Sequence, residues 1–251
     1  MTVESGNTPI VDCHNRDGSG EHALSHSHNQ AQISVIYDGC LYVELETAMF
    51  IVPPYRALWI PAGTAHRAIK KHGTEICSLY IPQSCFPTFS NTTEVLHVTP
   101  FLGELVKRMT KLDYSVDHID GERFYFLQIL IGELTQAKNA PLTLPFPSDS
   151  RALPLLDCIR NNEVPPQLHE VGKMIGASER TISRIFQRET GMSYQRWRQY
   201  WRYLRSIELL AQKYSITYIT QELKFSSDSA FIAFFKQHAG TTPNQYIQQK
   251  R

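Results

Sequence analysis

Four side chains in the first third of the chain could form a metal site or a polar pocket. His26, His28 and Gln32 would lie on one face of a β-strand, because successive side chains alternate between its two faces. His66 follows a Pro/Gly turn at 61–63, which could bring its imidazole back over that face. Neutral imidazoles bind divalent transition metals, but glutamine is a weaker ligand than glutamate. Two alternatives stay open: a divalent ion held by His26, His28 and His66, or a pocket for an organic molecule.

A second group of side chains, in the last third of the chain, is suited to reading DNA. A predicted helix begins after Ser178, and its apolar residues Ile182, Ile185 and Phe186 would face inward. The outward side chains include arginines, which can bind guanine bidentately or hold a phosphate. A later helix has small outward residues, which suit contact with thymine methyl groups and DNA shape. The predicted DNA-binding residues of the two helices are Glu179, Arg180, Thr181, Ser183, Arg184, Arg188, Ser229, Ala230, Ala233 and Lys236.

Two repeats of one plan would position these residues. Residues 168–191 and 216–240 each contain a short apolar helix, a tight turn and a second, amphipathic helix, which is the pattern of a helix-turn-helix. Between them, residues 193–213 lack Gly and Pro and predict a helix roughly 30 Å long. Successive major grooves on one face of B-DNA lie about 34 Å apart. This helix would therefore space two recognition helices to read adjacent turns of DNA.

The first half of the chain predicts a β-structure with flanking helices. Residues 26–82 contain short apolar or alternating segments that end at Gly or Pro turns, as in a small sandwich or barrel. We expect Trp59 to line its pocket, and we expect residues 1–25 to form an arm without periodicity. Residues 94–112 and 121–138 have helical periodicity. The apolar stripe of the second helix could pack on the barrel or on a second subunit, and it consists of Leu127, Leu130, Ile131 and Leu134.

Charge divides the chain in two. Residues 1–150 carry 10 Lys/Arg and 16 Asp/Glu, net −6, whereas residues 151–251 carry 15 and 8, net +7. A basic module joined to an acidic one is typical of a DNA-binding domain with a separate sensor. Residues 139–150, with three prolines and two serines, predict the linker between them. The five cysteines have no C-x-x-C spacing, and no signal peptide or membrane-length apolar run is evident, so we expect a cytoplasmic protein that does not enter a membrane.

Two family resemblances sharpen these expectations. The H-x-H-x-x-x-Q segment and the P-x-G-x-x-H segment resemble the two motifs of cupins, with Gln32 where metal-binding cupins usually have Glu. Residues 151–249 resemble the DNA-binding domain of AraC/XylS regulators, in the cupin-bearing branch that includes the NimR-type regulators; the matching segments are SERTISRIFQRETG, SAFIAFFK and GTTPNQY. The resemblance implies a cupin-like β-barrel with flanking helices in residues 1–138. It also implies an all-α domain in residues 151–251, with tandem helix-turn-helix motifs joined by a long helix.

Three positions depart from the AraC/XylS pattern. Gly172 and Thr220 stand where the positioning helices of the first and second motif usually have Ala, and Gly there costs about 1 kcal/mol of helix propensity. Lys224 stands where the second turn usually has Gly. If that turn needs a left-handed backbone, a non-Gly residue costs on the order of 1 kcal/mol.

The expected function is sequence-specific transcription regulation. The resemblance implies a homodimer whose cupin domain senses a small molecule and whose partner is double-stranded DNA. We expect no enzymatic activity, since the chain has no other paired catalytic groups at recognisable spacing. No cofactor is required by this interpretation. The alternative is a metal-dependent cupin enzyme, or a metal sensor, with an accessory helical domain.

One prediction follows for the first recognition helix. Replacing Arg184 with Ala should weaken binding to the operator by about 1–3 kcal/mol if the guanidinium reads a base. Equilibrium binding of operator and unrelated DNA to both proteins measures this. An operator affinity that is unchanged within error would remove this helix from base recognition.

Overall fold

The computed structural model describes residues 10–14, 24–70, 73–87, 89–112 and 121–248. The chain divides into two compact units, and each is described by itself. The β-rich unit comprises residues 1–45 and 50–143, and the helical unit comprises residues 46–49 and 144–251. In the described part of the chain, no helix has the length and apolar character needed to cross a membrane. The predicted class, a β-domain followed by an all-α domain, is confirmed.

Nine strands form two sheets in the described residues. They are β1 (Ile10–His14), β2 (Ala31–Asp38), β3 (Leu41–Glu44), β4 (Ala48–Val52), β5 (Arg56–Ile60), β6 (Arg67–Lys70), β7 (Glu75–Ile81), β8 (Glu94–His97) and β9 (Thr143–Pro145). The first sheet has the order β1-β7-β2-β5-β8, and its neighbours pair antiparallel. The second has the order β6-β3-β4-β9. Part of the expected N-terminal arm is therefore an edge strand, because β1 pairs with β7.

The register of the first sheet assigns its side chains to two faces. Ile33 lies opposite Trp59 and Leu79, while Gln32 lies opposite Ile60 and Tyr80. The face that carries Ile33 forms a continuous apolar core with the two helices of this unit. The face that carries Gln32 points away from that core, because neighbouring residues of a strand project to opposite sides.

Helices α1 (Pro100–Met109) and α2 (Gly121–Gln136) cover the first face. The prediction of a helix from residue 94 is wrong at its start, because β8 pairs with β5 and Thr99 then caps the helix through the Leu102 N–H. The stripe of α2 packs inside its own unit. Leu127, Leu130 and Leu134 are buried there. Of the two alternatives for this stripe, these residues follow the first, which is packing on their own domain.

Seven helices make up the helical unit in the described residues: α3 (Leu153–Arg160), α4 (Leu168–Ile175), α5 (Glu179–Thr190), α6 (Tyr194–Ala211), α7 (Ile216–Glu222), α8 (Asp228–Ala239) and α9 (Pro243–Gln248). Helices α4–α5 and α7–α8 are the two predicted helix-turn-helix pairs. The linking helix α6 has 18 residues, and a rise of 1.5 Å per residue gives it a length of about 27 Å.

The predicted linker is more ordered than its composition suggests. Residues 143–145 form β9, and the segment that follows packs on the helical unit. The Trp197 indole N–H donates to the Pro145 carbonyl over 2.7 Å. Phe146 is 7% exposed and meets the Trp197 ring edge-on, with centroids 5.9 Å apart. Residues 145–149 are thus part of the helical unit, and we call this segment the strap.

The strap generates a prediction about fragments. A fragment of residues 151–251 should be less stable than one of residues 144–251 by about 2–4 kcal/mol, because it loses the burial of Phe146 and the acceptor of the Trp197 N–H. Urea unfolding of the two fragments measures the difference. A third fragment, residues 148–251, should behave like the shorter one; equal stability of all three would mean that the strap contributes nothing.

Candidate functional site

The first recognition helix, α5, is capped as its sequence predicts. Ser178 precedes it, and its hydroxyl accepts from the Thr181 N–H over 3.2 Å. Gly176 closes the preceding turn with φ 65°, in the left-handed region that glycine tolerates. Gly172 also has a local reason: a Cβ there would lie 3.0 Å from the Ala177 carbonyl oxygen. The close approach of the turn, rather than helix propensity, therefore explains why residue 172 is glycine.

The outer face of α5 has the predicted exposure. Glu179, Arg180, Arg184 and Arg188 are exposed. Thr181 and Ser183 are partly buried, and Ile182, Ile185 and Phe186 form the inner face, as predicted. Exposed arginines on one face of an α5-type helix suit both phosphate and guanine contacts.

A carboxylate at the end of α5 joins Arg188 to the strap. Glu189 Oε2 accepts from the Ser148 hydroxyl over 3.2 Å and from the Asp149 N–H over 3.1 Å. Its other oxygen, Oε1, accepts from Arg188 Nη2. The hydrogen bond from Arg188 is the largest cause that lowers the pKa of Glu189. The carboxylate is therefore charged at neutral pH and accepts hydrogen bonds from both Arg188 and the strap.

The second recognition helix, α8, presents small side chains. Ser227 caps it through the Ala230 N–H over 3.2 Å, and Phe231 and Phe235 are fully buried. Ser229, Ala233 and Lys236 are exposed, and Ala230 is partly buried. This surface has few hydrogen-bond donors, as the sequence indicates. Its small side chains would instead allow the helix to approach DNA closely.

The turn before α8 has a left-handed backbone at Lys224, the position where the AraC/XylS pattern usually has Gly. Lys224 has φ 56°, a conformation that costs a side-chain-bearing residue on the order of 1 kcal/mol or more. The Lys224 N–H donates to Gln221 and the Phe225 N–H donates to Thr220, so the backbone of the turn is hydrogen-bonded. The surrounding structure holds a conformation that glycine would adopt more readily.

In the β-rich unit the three histidines lie together, as predicted. The ring centroids of His26 and His66 are 4.5 Å apart, and those of His28 and His66 are 5.1 Å apart. Their backbones explain this, because His26 and His66 exchange two N–H···O bonds of 2.9 Å. His26 is exposed, His28 is half-buried and His66 is only 2% exposed. Burial lowers the pKa of His66 to about 4, with nearby His26 and His28 adding to the effect.

A chain of polar side chains runs from His28 into the sheet. His28 Nε2 lies 2.9 Å from Gln32 Oε1, and Gln32 Nε2 donates to Ser34 Oγ over 2.8 Å. Ser34 Oγ lies 2.8 Å from Ser78 Oγ. Gln32 is 8% exposed, Ser34 0% and Ser78 4%. The Tyr80 ring stands edge-on to His28, with centroids 5.1 Å apart.

Sequence reasoning missed part of this chain and placed one residue wrongly. Period two from Gln32 could have found Ser34, but Ser78 and Tyr80 needed the register of β2 with β7. Trp59 does not line the pocket with the histidines. It lies on the opposite face of the sheet from Gln32, where it packs in the core under α1 and α2 and donates its N–H to the Ser90 carbonyl over 2.9 Å.

The histidines meet one condition for binding a metal and fail another. Each Nδ1 lies near a backbone carbonyl oxygen, those of Leu24, Gln30 and Thr64, which is the support that histidine ligands usually have. However, His28 Nε2 is directed to Gln32. Among the described residues, no group of three or more His, Cys, Asp or Glu side chains could hold a metal ion. The metal role of these histidines stays a prediction.

The helical unit is similar to the DNA-binding part of known proteins. Residues 171–249 match the family model described as a helix-turn-helix domain. The chain is 28% identical to the HTH-type transcriptional regulator NimR of Escherichia coli over 225 residues, which covers 88% of this chain and 81% of that protein. It is 31% identical over 103 residues to the HTH-type transcriptional regulator RipA of Corynebacterium glutamicum, covering 41% of this chain and 31% of RipA.

Two solved structures have distant likeness. ToxT from Vibrio cholerae is 11% identical, with a TM-score of 0.40, and the match covers 96% of this chain and 98% of that one. The DNA-binding domain of AdpA, solved with a target DNA, is 24% identical, with a TM-score of 0.38; the match covers 41% of this chain and 95% of that one.

The metal alternative has a direct test at Gln32. The purified protein should carry less than one equivalent of divalent metal, and Gln32→Glu should raise that content, because it supplies an anionic oxygen ligand. Elemental analysis of both proteins measures the change. As a control, adding His66→Ala to Gln32→Glu should remove the gain. Full occupancy of the unmodified protein would favour the metal sensor or enzyme.

Proposed function

The chain is a helix-turn-helix transcriptional regulator of the AraC type, and from that premise we propose that its β-rich unit senses a small organic molecule. The proposal also holds that α5 and α8 read adjacent turns of one operator. The observation that carries it is the tandem pair of capped recognition helices joined by α6. A regulator acting on DNA would work in the cytoplasm. The relatives named above are regulators, which supports this function over the enzyme alternative.

The two recognition helices would divide the work of reading DNA. Arg180 and Arg184 are exposed on α5 and would contact guanine edges or phosphates. Ser229 and Ala233 are exposed on α8 and would read thymine methyl groups and groove shape. Arg188 is 67% exposed and would contact a phosphate after exchanging its partner Glu189. Specificity would then come mainly from α5, with α8 adding affinity and spacing.

The sensing site would be built on the polar chain that begins at His28. Polar groups buried in a sheet destabilise it unless they are hydrogen-bonded, and here the hydrogen bonds from His28 to Ser78 hold the polar groups in fixed positions. His66, with a pKa of about 4, is uncharged at neutral pH. A molecule bound there would meet imidazole, amide, hydroxyl and phenol groups, and no carboxylate is among them. Those groups favour a small polar organic molecule with several donors and acceptors.

Dimerisation would use the outer face of α2. Its inner residues are buried in the core of the unit, but Phe124 is 47% exposed, Tyr125 67% and Ile129 41%. Phe101 on α1 is 56% exposed as well. Exposed apolar side chains on one helix are typical of a helix-to-helix subunit contact. A homodimer formed there would place two DNA-binding units on one operator and raise the overall affinity.

The experiment is a footprint on an operator selected from genomic fragments with the purified full-length protein. We expect each DNA-binding unit to protect two segments whose centres lie about 10 base pairs apart, one helical turn, so that a homodimer protects two such pairs. The double variant Arg180→Ala, Arg184→Ala should lose the protection while keeping its circular dichroism spectrum and unfolding midpoint. Binding that is equally strong on random DNA, with a salt dependence as its only feature, would contradict sequence-specific regulation.

A further inference from the structure

The turn between α7 and α8 is held from the linking helix by one buried arginine. Arg202 lies on α6 and is 7% exposed. Its Nε and Nη2 donate to the Leu223 carbonyl over 3.0 and 2.7 Å, and Nη2 also donates to the Lys224 carbonyl over 3.1 Å. Nη1 donates to the Gln199 side chain over 3.0 Å. All three guanidinium nitrogens are therefore engaged inside the unit.

The guanidinium is also stacked on aromatic rings of the same turn. Its central carbon lies 3.7 Å from the Phe225 ring centroid and 5.8 Å from that of Phe234. Phe225 follows the turn and Phe234 belongs to α8, so the arginine touches both the turn and the recognition helix. Burial lowers the pKa of Arg202 to about 10, with nearby Arg198 adding to the effect, and the group is still charged at neutral pH. A cation over aromatic faces and against carbonyl oxygens is a strong, directional contact.

These contacts fall on the residue whose backbone is strained. Carbonyl oxygens that leave a helix end have no partner within the helix, and here two of them, at Leu223 and Lys224, receive the guanidinium. The left-handed conformation of Lys224 aims its carbonyl in a direction that a right-handed residue would not. Arg202 thereby stabilises the one turn geometry from which α8 starts.

We propose that Arg202 is the positioning residue of the second recognition helix, coupling the α7–α8 turn to α6 so that α8 meets the groove in register with α5. The inference rests on the proposed reading of DNA by two helices. Arg202 would not touch DNA, because its guanidinium is buried and fully engaged. Its loss should therefore affect the half-site read by α8 and spare the half-site read by α5.

The chain offers a matched control on the same helix. Arg198 is also buried on α6, at 8% exposed, and its Nε donates to the Pro165 carbonyl over 2.5 Å. Pro165 precedes α4, so Arg198 supports the first helix-turn-helix in the way that Arg202 supports the second. Arg198→Met removes a similar buried guanidinium at a similar cost to folding but should disturb the other half-site.

The test uses full-length protein on the footprinted operator, with base substitutions scanned through both half-sites. Arg202→Met should lose protection and base sensitivity at the α8 half-site, keep both at the α5 half-site, and weaken binding about tenfold or more. The slope of log Kd against log salt should change by less than the loss of one phosphate contact, about 0.9. Arg198→Met should give the reverse pattern of half-sites.

A suppressor separates positioning from general destabilisation. Adding Lys224→Gly to Arg202→Met should restore part of the α8 half-site, because glycine adopts the left-handed turn without the arginine. If Arg202→Met does not fold, Phe225→Leu removes the stacking surface and should show the same selectivity more weakly. Equal loss at both half-sites, or no loss at either, would overturn the inference while leaving the proposed function intact. A single protected segment in the unmodified protein would instead contradict the proposed function itself.

Discussion

Burial of α6 on nearly every side is the constraint on which the helical unit depends. Trp197, Trp201 and Leu204 fill its interior contacts at 0–2% exposure, and the helix has no solvated face along its middle. Polar residues in such a helix need partners, because an unpaired buried charge is severely destabilising. Arg205 and Glu208 accordingly pair with each other. Burial raises the pKa of Glu208 above its usual range, and the Arg205 guanidinium beside it provides the partner that the buried carboxyl group needs. The two other buried arginines find their partners outside α6, Arg198 in the loop that precedes α4 and Arg202 in the turn between α7 and α8.

The β-rich unit solves a different problem, which is to keep polar groups inside a sheet. Period two assigns apolar side chains to the face under α1 and α2, and it places Gln32, Ser34 and Ser78 on the other face beside apolar Leu58 and Ile60. The Oγ atoms of Ser34 and Ser78 lie 2.8 Å apart across β2 and β7, so the chain that starts at His28 ends in a hydrogen bond between two hydroxyl groups. The helix-covered face supplies stability, and the other face keeps a row of hydrogen-bonding groups in place.

The sequence predicted the parts that depend on local periodicity and capping. Both helix-turn-helix pairs, the cap at Ser178, and the closeness of the histidines follow from spacing alone. The failures lie where a distant partner decides. Residues 94–97 became a strand because β5 is beside them, and the proline-rich linker became β9 and the strap because Trp197 offered a donor and a ring. Trp59 was assigned to the wrong face because its residue type suited a pocket, whereas strand register decides direction. Nothing in the sequence indicated the role proposed for Arg202, because the residue type alone does not distinguish a buried arginine from a solvated one.

Helical phase limits how such a protein can change its target. An α-helix turns by about 100° per residue, and α6 connects one motif to the other without a Gly or Pro. One inserted residue would rotate α7 and α8 by that angle about the axis of α6 while lengthening it by only about 1.5 Å. The same insertion would carry the guanidinium of Arg202 away from the carbonyl groups it holds. New operators are therefore accessible by exchanging outward side chains on α5 and α8, whereas the distance and angle between the two sequence elements are fixed by the residue count of one helix.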